Sequence, residues 1–268
     1  MKKIIGISVA VSIALMSCNK EANTVETETS STKEMNKVEN FSVDSVQVSD
    51  SLKIDENLTV TFKSSVLFFH TLKNKVLLDS IFSPEKINLD EYSKDHLKAA
   101  LEKKKTQFFQ EQKDGLKDYM PDFQQTWSRN SHMKVLSNEN DWLTIKYSGD
   151  GYTGGAHGYY YESYKVFDLK TKKTLQLTDV VTETQSKIWD KILMDNFLAN
   201  DSEKGQAEML LVKEIPLNSN FYFDREFLYF LYNQYEITAY AAGTVLIKVP
   251  LSDIKPFLTQ EFIKRQDL

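Results

Sequence analysis

The sequence predicts an α+β fold in which helices pack on one face of an antiparallel sheet. Residues 143–147 and 159–167 alternate apolar and polar side chains with the period of two that half-buried strands show. Residues 89–116 and 188–198 instead place apolar side chains along one side of a helix. Strands and helices do not follow each other in a regular βαβ order, and this favours an antiparallel sheet over a parallel one.

Residues 1–18 have the pattern of an export signal that ends in a lipid-attachment site. Lys2 and Lys3 precede an apolar run, residues 4–16, which is shorter than the roughly 20 residues that span a bilayer. The sequence Leu-Met-Ser-Cys that ends at Cys18 resembles the lipobox of bacterial lipoproteins. Cys18 is the single cysteine of the chain, so we expect it to be lipidated; a free thiol in a cytosolic protein is the alternative.

Residues 19–50 are predicted to form a flexible tether. Their first part consists almost entirely of Glu, Thr, Ser, Asn and Lys, which offer too little apolar surface to offset the entropy of ordering the chain.

Because Cys18 is expected to be lipidated, the protein is expected to lie in the cell envelope, anchored in the outer membrane on either its periplasmic or its surface face. The net charge is −5 over 268 residues, without a basic patch, so no nucleic-acid partner is expected.

The rest of the chain is predicted to be one compact unit of two parts, residues 51–170 and 171–268. An apolar, strand-like run over residues 58–78 is interrupted at residues 73–75, which we interpret as a hairpin turn. The helix at 89–116 and a short strand at 132–137 follow. Beyond the helix at 188–198, residues 221–230 and 244–249 have the composition of strands.

Glycines are concentrated between the two central strands. Five of the nine glycines lie between residues 149 and 158: Gly149, Gly151, Gly154, Gly155 and Gly158. Because glycine costs chain entropy unless the backbone needs a positive φ or a close approach, we expect a shaped loop that holds His157. Three roles remain open for this histidine: bonding to its own loop, contacting a partner or ligand, or acting as a general base.

The sequence lacks the common motifs of enzymes. It has no Gly-x-Ser-x-Gly elbow and no phosphate-binding loop. His70, His96, His132 and His157 are far apart, without a second ligand at metal-binding spacing. We therefore expect no metal, no cofactor and no catalytic residues, and favour a binding role over an enzymatic one.

Tyrosines form a second concentration of unusual composition. Six of the thirteen lie between residues 147 and 164, and five more lie between residues 221 and 240. Strand alternation places Tyr159 and Tyr161 on one face and Tyr160 and Tyr164 on the other. Part of this set must be core, and the exposed part is suited to recognition because tyrosine combines a large contact area with a polar tip.

Four segments together resemble a known family. The first two are Tyr-Thr-Gly-Gly-Ala-His-Gly from Tyr152 to Gly158 and the preceding strand from Trp142 to Tyr147. The other two are the passage formed by residues 167–169 and 175–179, and Tyr-Glu-Ile-Thr-Ala-Tyr-Ala-Ala-Gly at residues 235–243 with the strand-like residues 245–250 after it. They are similar to exported bacterial domains of unknown function. Such domains occur in the extracytoplasmic part of the anti-sigma-V factor RsiV and in the non-catalytic N-terminal part of PdaC-type peptidoglycan deacetylases.

The resemblance implies a recognition module of the cell envelope whose partner is a lysozyme-like muramidase or peptidoglycan. It implies neither a signalling pathway nor a catalytic activity, because these 268 residues show no transmembrane span and no deacetylase domain beside the motifs. The expected binding residues lie on the glycine-rich loop and the strand after it. They are Tyr152, Thr153, Gly154, Gly155, His157, Tyr159 and Tyr161.

Two alternatives stay open at this point. One is an envelope hydrolase that acts on peptidoglycan and uses His157 together with Asp150 or another nearby carboxylate. The other is a structural lipoprotein that only packs against other envelope proteins. Neither has a sequence motif of its own.

Overall fold

A computed structural model of the protein describes residues 41–116, 121–201 and 205–268, which belong to one compact unit. Within these residues the chain forms a six-stranded sheet, a three-stranded sheet and five α-helices, so the predicted α+β class is confirmed. The predicted signal segment, Cys18 and residues 19–40 of the predicted tether lie outside the described residues. Two features differ from expectation: one strand pair is parallel, and there is a second sheet.

The strands of the first sheet lie side by side in chain order. They are β1 (Val43–Lys53), β2 (Leu58–Phe69), β3 (Gln125–Glu139), β4 (Trp142–Tyr152), β5 (Tyr159–Asp168) and β6 (Lys173–Thr174). The second sheet consists of β7 (Phe221–Phe223), β8 (Phe227–Tyr232) and β9 (Val245–Pro250), all antiparallel. The helices are α1 (Lys75–Phe82), α2 (Lys94–Gly115), α3 (Leu177–Val180), α4 (Ile188–Asn200) and α5 (Gln260–Gln266).

The parallel pair, β2 with β3, explains where the first two helices lie. Parallel neighbours need a long crossover connection, and α1 and α2 provide it. Their apolar sides cover one face of the sheet: Leu101 and Phe108 of α2 are fully buried, and the ring of Phe108 is 6.1 Å from that of Phe62 on β2. This arrangement forms the first hydrophobic core.

The predicted tether is wrong for residues 43–50, which belong to β1. The strand pairs along its whole length with β2; Val46 and Val48 are its buried residues, and Val43 is partly buried against the core. Its remaining side chains, rich in Ser and Asp, face outward. A strand with one buried face and so few apolar residues has the composition of a disordered segment, which is why the sequence pattern concealed it.

Two predicted element boundaries were also wrong. Residues 73–75 are not a hairpin turn, because Asn74 caps α1 by accepting a hydrogen bond from the backbone N–H of Leu77 at 2.9 Å. Helix α2 begins at Lys94 rather than at residue 89, where Ser93 caps it through the N–H of His96. The strand expected at residues 132–137 is part of the longer β3.

The second core lies between the small sheet, the helices of the C-terminal part and one end of the first sheet. Trp189, Leu193 and Phe197 of α4 are buried there, as their spacing predicts, but Ile188 and Leu198 are 41% and 51% exposed and lie outside the stripe. The strand-like segment 221–230 is a hairpin, since Asp224 accepts the N–H groups of two residues that follow it.

Candidate functional site

The glycine-rich connection is shorter than its sequence suggests. Strand β4 continues to Tyr152 and β5 begins at Tyr159, so only residues 153–158 form the loop. Gly154 and Gly155 adopt φ values of +89° and +101°, which favour glycine. A Cβ on Gly154 would also lie 3.1 Å from the ring of Trp127. The loop therefore requires glycine at these positions.

Gly149 and Gly151 belong to β4 and not to the loop. Each lies beneath a tyrosine of β5, Tyr161 over Gly149 and Tyr159 over Gly151. A Cβ on Gly149 would be 2.5 Å from the Tyr161 ring, so the missing side chain lets the ring lie against the strand. The two tyrosines keep 42% (Tyr159) and 39% (Tyr161) of their surface exposed.

His157 is exposed at the end of the loop and is held by three contacts. Its Nδ1 lies 2.8 Å from the carbonyl oxygen of Gly158, which can only accept a hydrogen bond, so Nδ1 carries the proton. The imidazole stacks on Tyr240, with ring centroids 4.0 Å apart and planes 27° from parallel. Its Nε2 lies 3.5 Å from the hydroxyl of Tyr235. Nε2 thus faces a tyrosine hydroxyl at the surface.

The two tyrosines that contact His157 both belong to the motif at residues 235–243, which the sequence analysis singled out. The hydroxyl of Tyr240 donates to the carbonyl of Gly158 at 3.0 Å, so this oxygen accepts bonds from both His157 and Tyr240. Tyr235 is 59% exposed and has a φ of +67°, an unusual backbone conformation for a bulky residue. Strain of this kind persists where the surroundings hold it, and it is concentrated at functional sites. We call His157, Tyr235 and Tyr240 the imidazole cluster.

The predicted site residues divide into two groups. Tyr152 holds the loop by donating from its hydroxyl to the carbonyl of Gly155 at 2.9 Å, and Thr153 is exposed beside it. Tyr159 and Tyr161 lie instead on the sheet, over the glycines of β4. Sequence reasoning missed Tyr235 and Tyr240 as site residues, although it singled out their motif, because nothing in the sequence indicated that the two motifs meet.

The outer edge of β5 fixes how the two motifs meet. Asn233 accepts from the backbone N–H of Glu162 at 2.8 Å and donates to its carbonyl at 3.1 Å. Asn220 accepts from the N–H of Tyr164 at 2.8 Å and also donates to the carbonyl of Glu162 at 3.0 Å. These side-chain amides take the place of a neighbouring strand, and Asn233 lies two residues before Tyr235.

A buried ionic network lies beside this edge. The carboxylate of Glu162 contacts the Lys146 Nζ at 2.6 Å and accepts hydrogen bonds from the hydroxyls of Tyr160 and Tyr164. Burial raises the pKa of the Glu162 carboxyl, but the hydrogen bonds from Lys146 and the two tyrosines outweigh it and hold this pKa below its ordinary value. Burial and the adjacent carboxylate raise the pKa of Tyr160 and of Tyr164. The lowered pKa keeps the Glu162 carboxylate ionised at neutral pH, whereas the raised pKa values keep the two phenols neutral hydrogen-bond donors.

Two protein-family models match consecutive parts of the chain. Residues 55–160 match the model described as Deacetylase PdaC. Residues 168–252 match DUF3298, a family of proteins of unknown function. The predicted resemblance to domains of the PdaC and RsiV type is confirmed. His157 lies in the first matched region, whereas Tyr235 and Tyr240 lie in the second.

Solved structures of DUF3298 proteins share the fold. A member from Bacteroides fragilis NCTC 9343 superposes with a TM-score of 0.69 at 21% identity, covering 85% of this chain and 97% of that one. A protein from Pseudomonas aeruginosa PAO1 gives a TM-score of 0.56 at 16% identity, covering 84% and 97%. No curated protein matches the chain significantly.

Two further properties concern only the described residues. Among them, no helix is long and apolar enough to cross a membrane. In the same residues, no three or more His, Cys, Asp or Glu side chains are grouped as metal ligands.

Proposed function

We propose that this chain is a lipid-anchored binding domain of the cell envelope that recognises a lysozyme-like muramidase or peptidoglycan through the imidazole cluster. The observation that carries the proposal is the convergence of the two motifs: the exposed ring of His157 is packed against Tyr235 and Tyr240, which follow it by about 80 residues. Aromatic rings of this kind supply large contact areas with polar tips.

The cluster is fixed before a partner arrives. His157 and Tyr240 share the carbonyl of Gly158, and the Asn233 amide holds the segment that carries Tyr235 against β5. Ordering the surface in advance lowers the entropic cost of binding. Preorganisation supports a recognition surface over a loop that merely connects two strands.

The anchor is proposed from sequence. Lipidation at Cys18 would attach the chain to a membrane of the envelope, the outer membrane in our proposal. Residues 19–42 separate Cys18 from β1 and span at most about 80 Å when fully extended. The domain would thus remain within reach of envelope polymers and of muramidases that act on them.

Contacts within residues 41–116, 121–201 and 205–268 do not favour the hydrolase alternative. Among the described residues, His157 contacts Gly158, Tyr235 and Tyr240, and no carboxylate orients its ring. Asp150, the predicted companion, is bonded at 2.8 Å to the Asn130 amide instead. A general base needs an orienting group and a nucleophile within reach, so we do not propose hydrolysis.

Binding of the Cys18→Ala chain to immobilised lysozyme and to purified peptidoglycan tests the proposal. We expect retention on one of the two, and a loss of roughly tenfold in affinity for His157→Ala and for Tyr235→Ala. His96→Ala is the matched control, because His96 is an exposed histidine on α2. If neither material retains the Cys18→Ala chain, the binding function is wrong and a structural role in the envelope becomes the better interpretation.

A further inference from the structure

We propose that a cavity on the sheet face opposite α1 and α2 binds a neutral saccharide unit. Lys63 on β2 follows Phe62, whose ring packs towards α2, so strand alternation directs Lys63 to the other face. The cavity has a volume of about 320 Å³, at the lower end of the range for small-ligand pockets. We call it the sheet-face cavity; it is lined by Lys63, Ser65, Asn130, His132, Asp150 and Tyr160.

Strand register brings these side chains together. Lys63 pairs with Asn130 on β3, Asn130 with Asp150 on β4, and Asp150 with Tyr160 on β5. These residues form one row across four strands. In the next row Ser65 pairs with His132. Because these lining residues all lie on β-strands, the hydrogen-bonding groups of the cavity floor are held in fixed positions.

Several of these groups have no polar partner among the described residues. Ser65 is only 8% exposed, yet its hydroxyl makes no hydrogen bond within residues 41–116, 121–201 and 205–268. The side chains of Lys63 and His132 likewise have no polar partner in those residues. Because solvent reaches the Ser65 hydroxyl, it is available, with the side chains of Lys63 and His132, to form hydrogen bonds to a ligand in the cavity.

Tyr160 provides a fixed aromatic wall. Its hydroxyl donates to Glu162, and the Lys146 ammonium lies 2.6 Å from the same carboxylate, so the ring is held in one orientation. An immobilised ring loses little entropy when a ligand packs against it. On the other side of the row, Asn130 donates to one oxygen of Asp150 at 2.8 Å and leaves the other oxygen to a ligand.

The charges of the cavity favour a neutral ligand. Lys63 and Asp150 cancel each other, and an anion would meet the Asp150 carboxylate. Hydroxyl, amide, carboxylate and imidazole groups beside one aromatic ring complement a sugar, which presents several hydroxyls around an apolar ring face. The sheet-face cavity shares no residue with the imidazole cluster and is a second, separate site.

The test uses the full chain, purified in a non-glycosidic detergent, with chitotetraose and cellotetraose as probes. Calorimetric titration and saturation-transfer NMR should detect binding of at least one of them. Asp150→Asn and His132→Ala are expected to weaken that binding about tenfold. Lys134→Ala should leave it unchanged, because Lys134 is exposed on the same strand outside the cavity.

The result that overturns the proposal is equally specific. Absence of binding by both saccharides, or unchanged affinity in both cavity variants, rules out a saccharide site. Titration with inorganic phosphate is the charge control. Phosphate binding that is stronger than saccharide binding and improves in Asp150→Asn would assign the cavity to an anion instead. Since His132 is exposed, loss of folding is not expected in His132→Ala.

Discussion

The imidazole of His157 stacks on the phenol ring of Tyr240 across a separation of 83 positions in the chain. The same tyrosine donates its hydroxyl to the carbonyl of Gly158 at 3.0 Å. The contact therefore combines a ring stack with a hydrogen bond, and the two contributions can be separated by substitution.

Tyr240→Phe keeps the ring and removes the hydroxyl, whereas Tyr240→Leu removes both contributions. We expect Tyr240→Phe to lower the free energy of unfolding by about 1 kcal/mol and Tyr240→Leu to lower it by about 1 kcal/mol more. Urea denaturation measures both. Tyr235→Phe is the control, since the Tyr235 hydroxyl makes only a 3.5 Å contact with His157 and its loss should change stability little. Equal effects of all three substitutions would contradict the stacking contribution.

Gly149→Ala should destabilise the fold by roughly 1–3 kcal/mol through overpacking. The new Cβ would lie 2.5 Å from the Tyr161 ring and 2.7 Å from the backbone oxygen of Asn130. Gly115→Ala is the matched control: nothing lies within 4 Å of a Cβ there, and Gly115 ends α2, so alanine should be neutral or stabilising. Thermal unfolding of the two variants measures the change in stability. If Gly149→Ala is as stable as the unsubstituted protein, the Tyr161 ring can move aside and the overpacking prediction is wrong.

Acid should weaken the fold partly through Glu162. Its folded-state pKa lies below the ordinary value of 4.5, so its contribution to stability is complete above that pH. As the pH falls through the lowered pKa, the unfolded chain binds the proton more readily and this contribution is lost. Glu162→Gln should cost about 2 kcal/mol at pH 7 and make stability less dependent on acid.

Unfolding by urea between pH 7 and pH 3 measures the Glu162 effect. Glu139→Gln is the control, because Glu139 is 65% exposed in its ion pair with Arg225 and should leave the pH profile unchanged. Some acid dependence should persist in Glu162→Gln, since hydrogen bonds from Arg265 also hold the pKa of Asp168 below its ordinary value despite burial. If the pH profile of stability is unaltered in Glu162→Gln, the network around Glu162 is not a source of the acid dependence.

Asn233→Leu should open the edge of β5. It leaves the N–H of Glu162 without its partner and takes one of the two donors from the Glu162 carbonyl, at an expected cost of about 1–3 kcal/mol. Amide hydrogen exchange should accelerate at Glu162 more than at Tyr164, which Asn220 still holds. Asn138→Leu is the control substitution, because the side chain of Asn138 is exposed at the end of β3.

Cys18→Ala should transfer the protein from the membrane fraction to the soluble fraction. Without a lipid-modified cysteine, the first 18 residues would no longer provide an acyl anchor. Fractionation with immunoblotting measures the distribution, and Ser17→Ala, which keeps the cysteine, is the neighbouring control. Continued membrane association of the Cys18→Ala protein would place the anchor elsewhere.

Sequence reasoning succeeded where one periodic pattern decided the structure. The strands at β4 and β5 follow from alternation, and the buried positions Leu97, Leu101 and Phe108 of α2 follow from helical spacing. It failed at Asn74, because asparagine before an apolar run indicates a turn and a helix cap equally well. Strand β1 was missed because its apolar residues are too few to distinguish it from a tether.

The candidate site was predicted only where local composition determines the structure. Positive φ at Gly154 and Gly155, and the exposure of His157, follow from local composition. The rings that pack on His157 do not, because the contact depends on how the second part docks. Besides the second core, that docking uses hydrogen bonds from Asn220 and Asn233, two ordinary polar residues whose role appears only when the edge of β5 lies beside them.

The stacking of His157 on Tyr240 has a consequence for how such proteins diverge. The ring on one side comes from the region that matches one family model, and its companion comes from the region that matches the other. A chain in which either region was lost or exchanged would lack the paired rings. The surface formed by the stacked rings is therefore inherited only when both matched regions are inherited together in one chain.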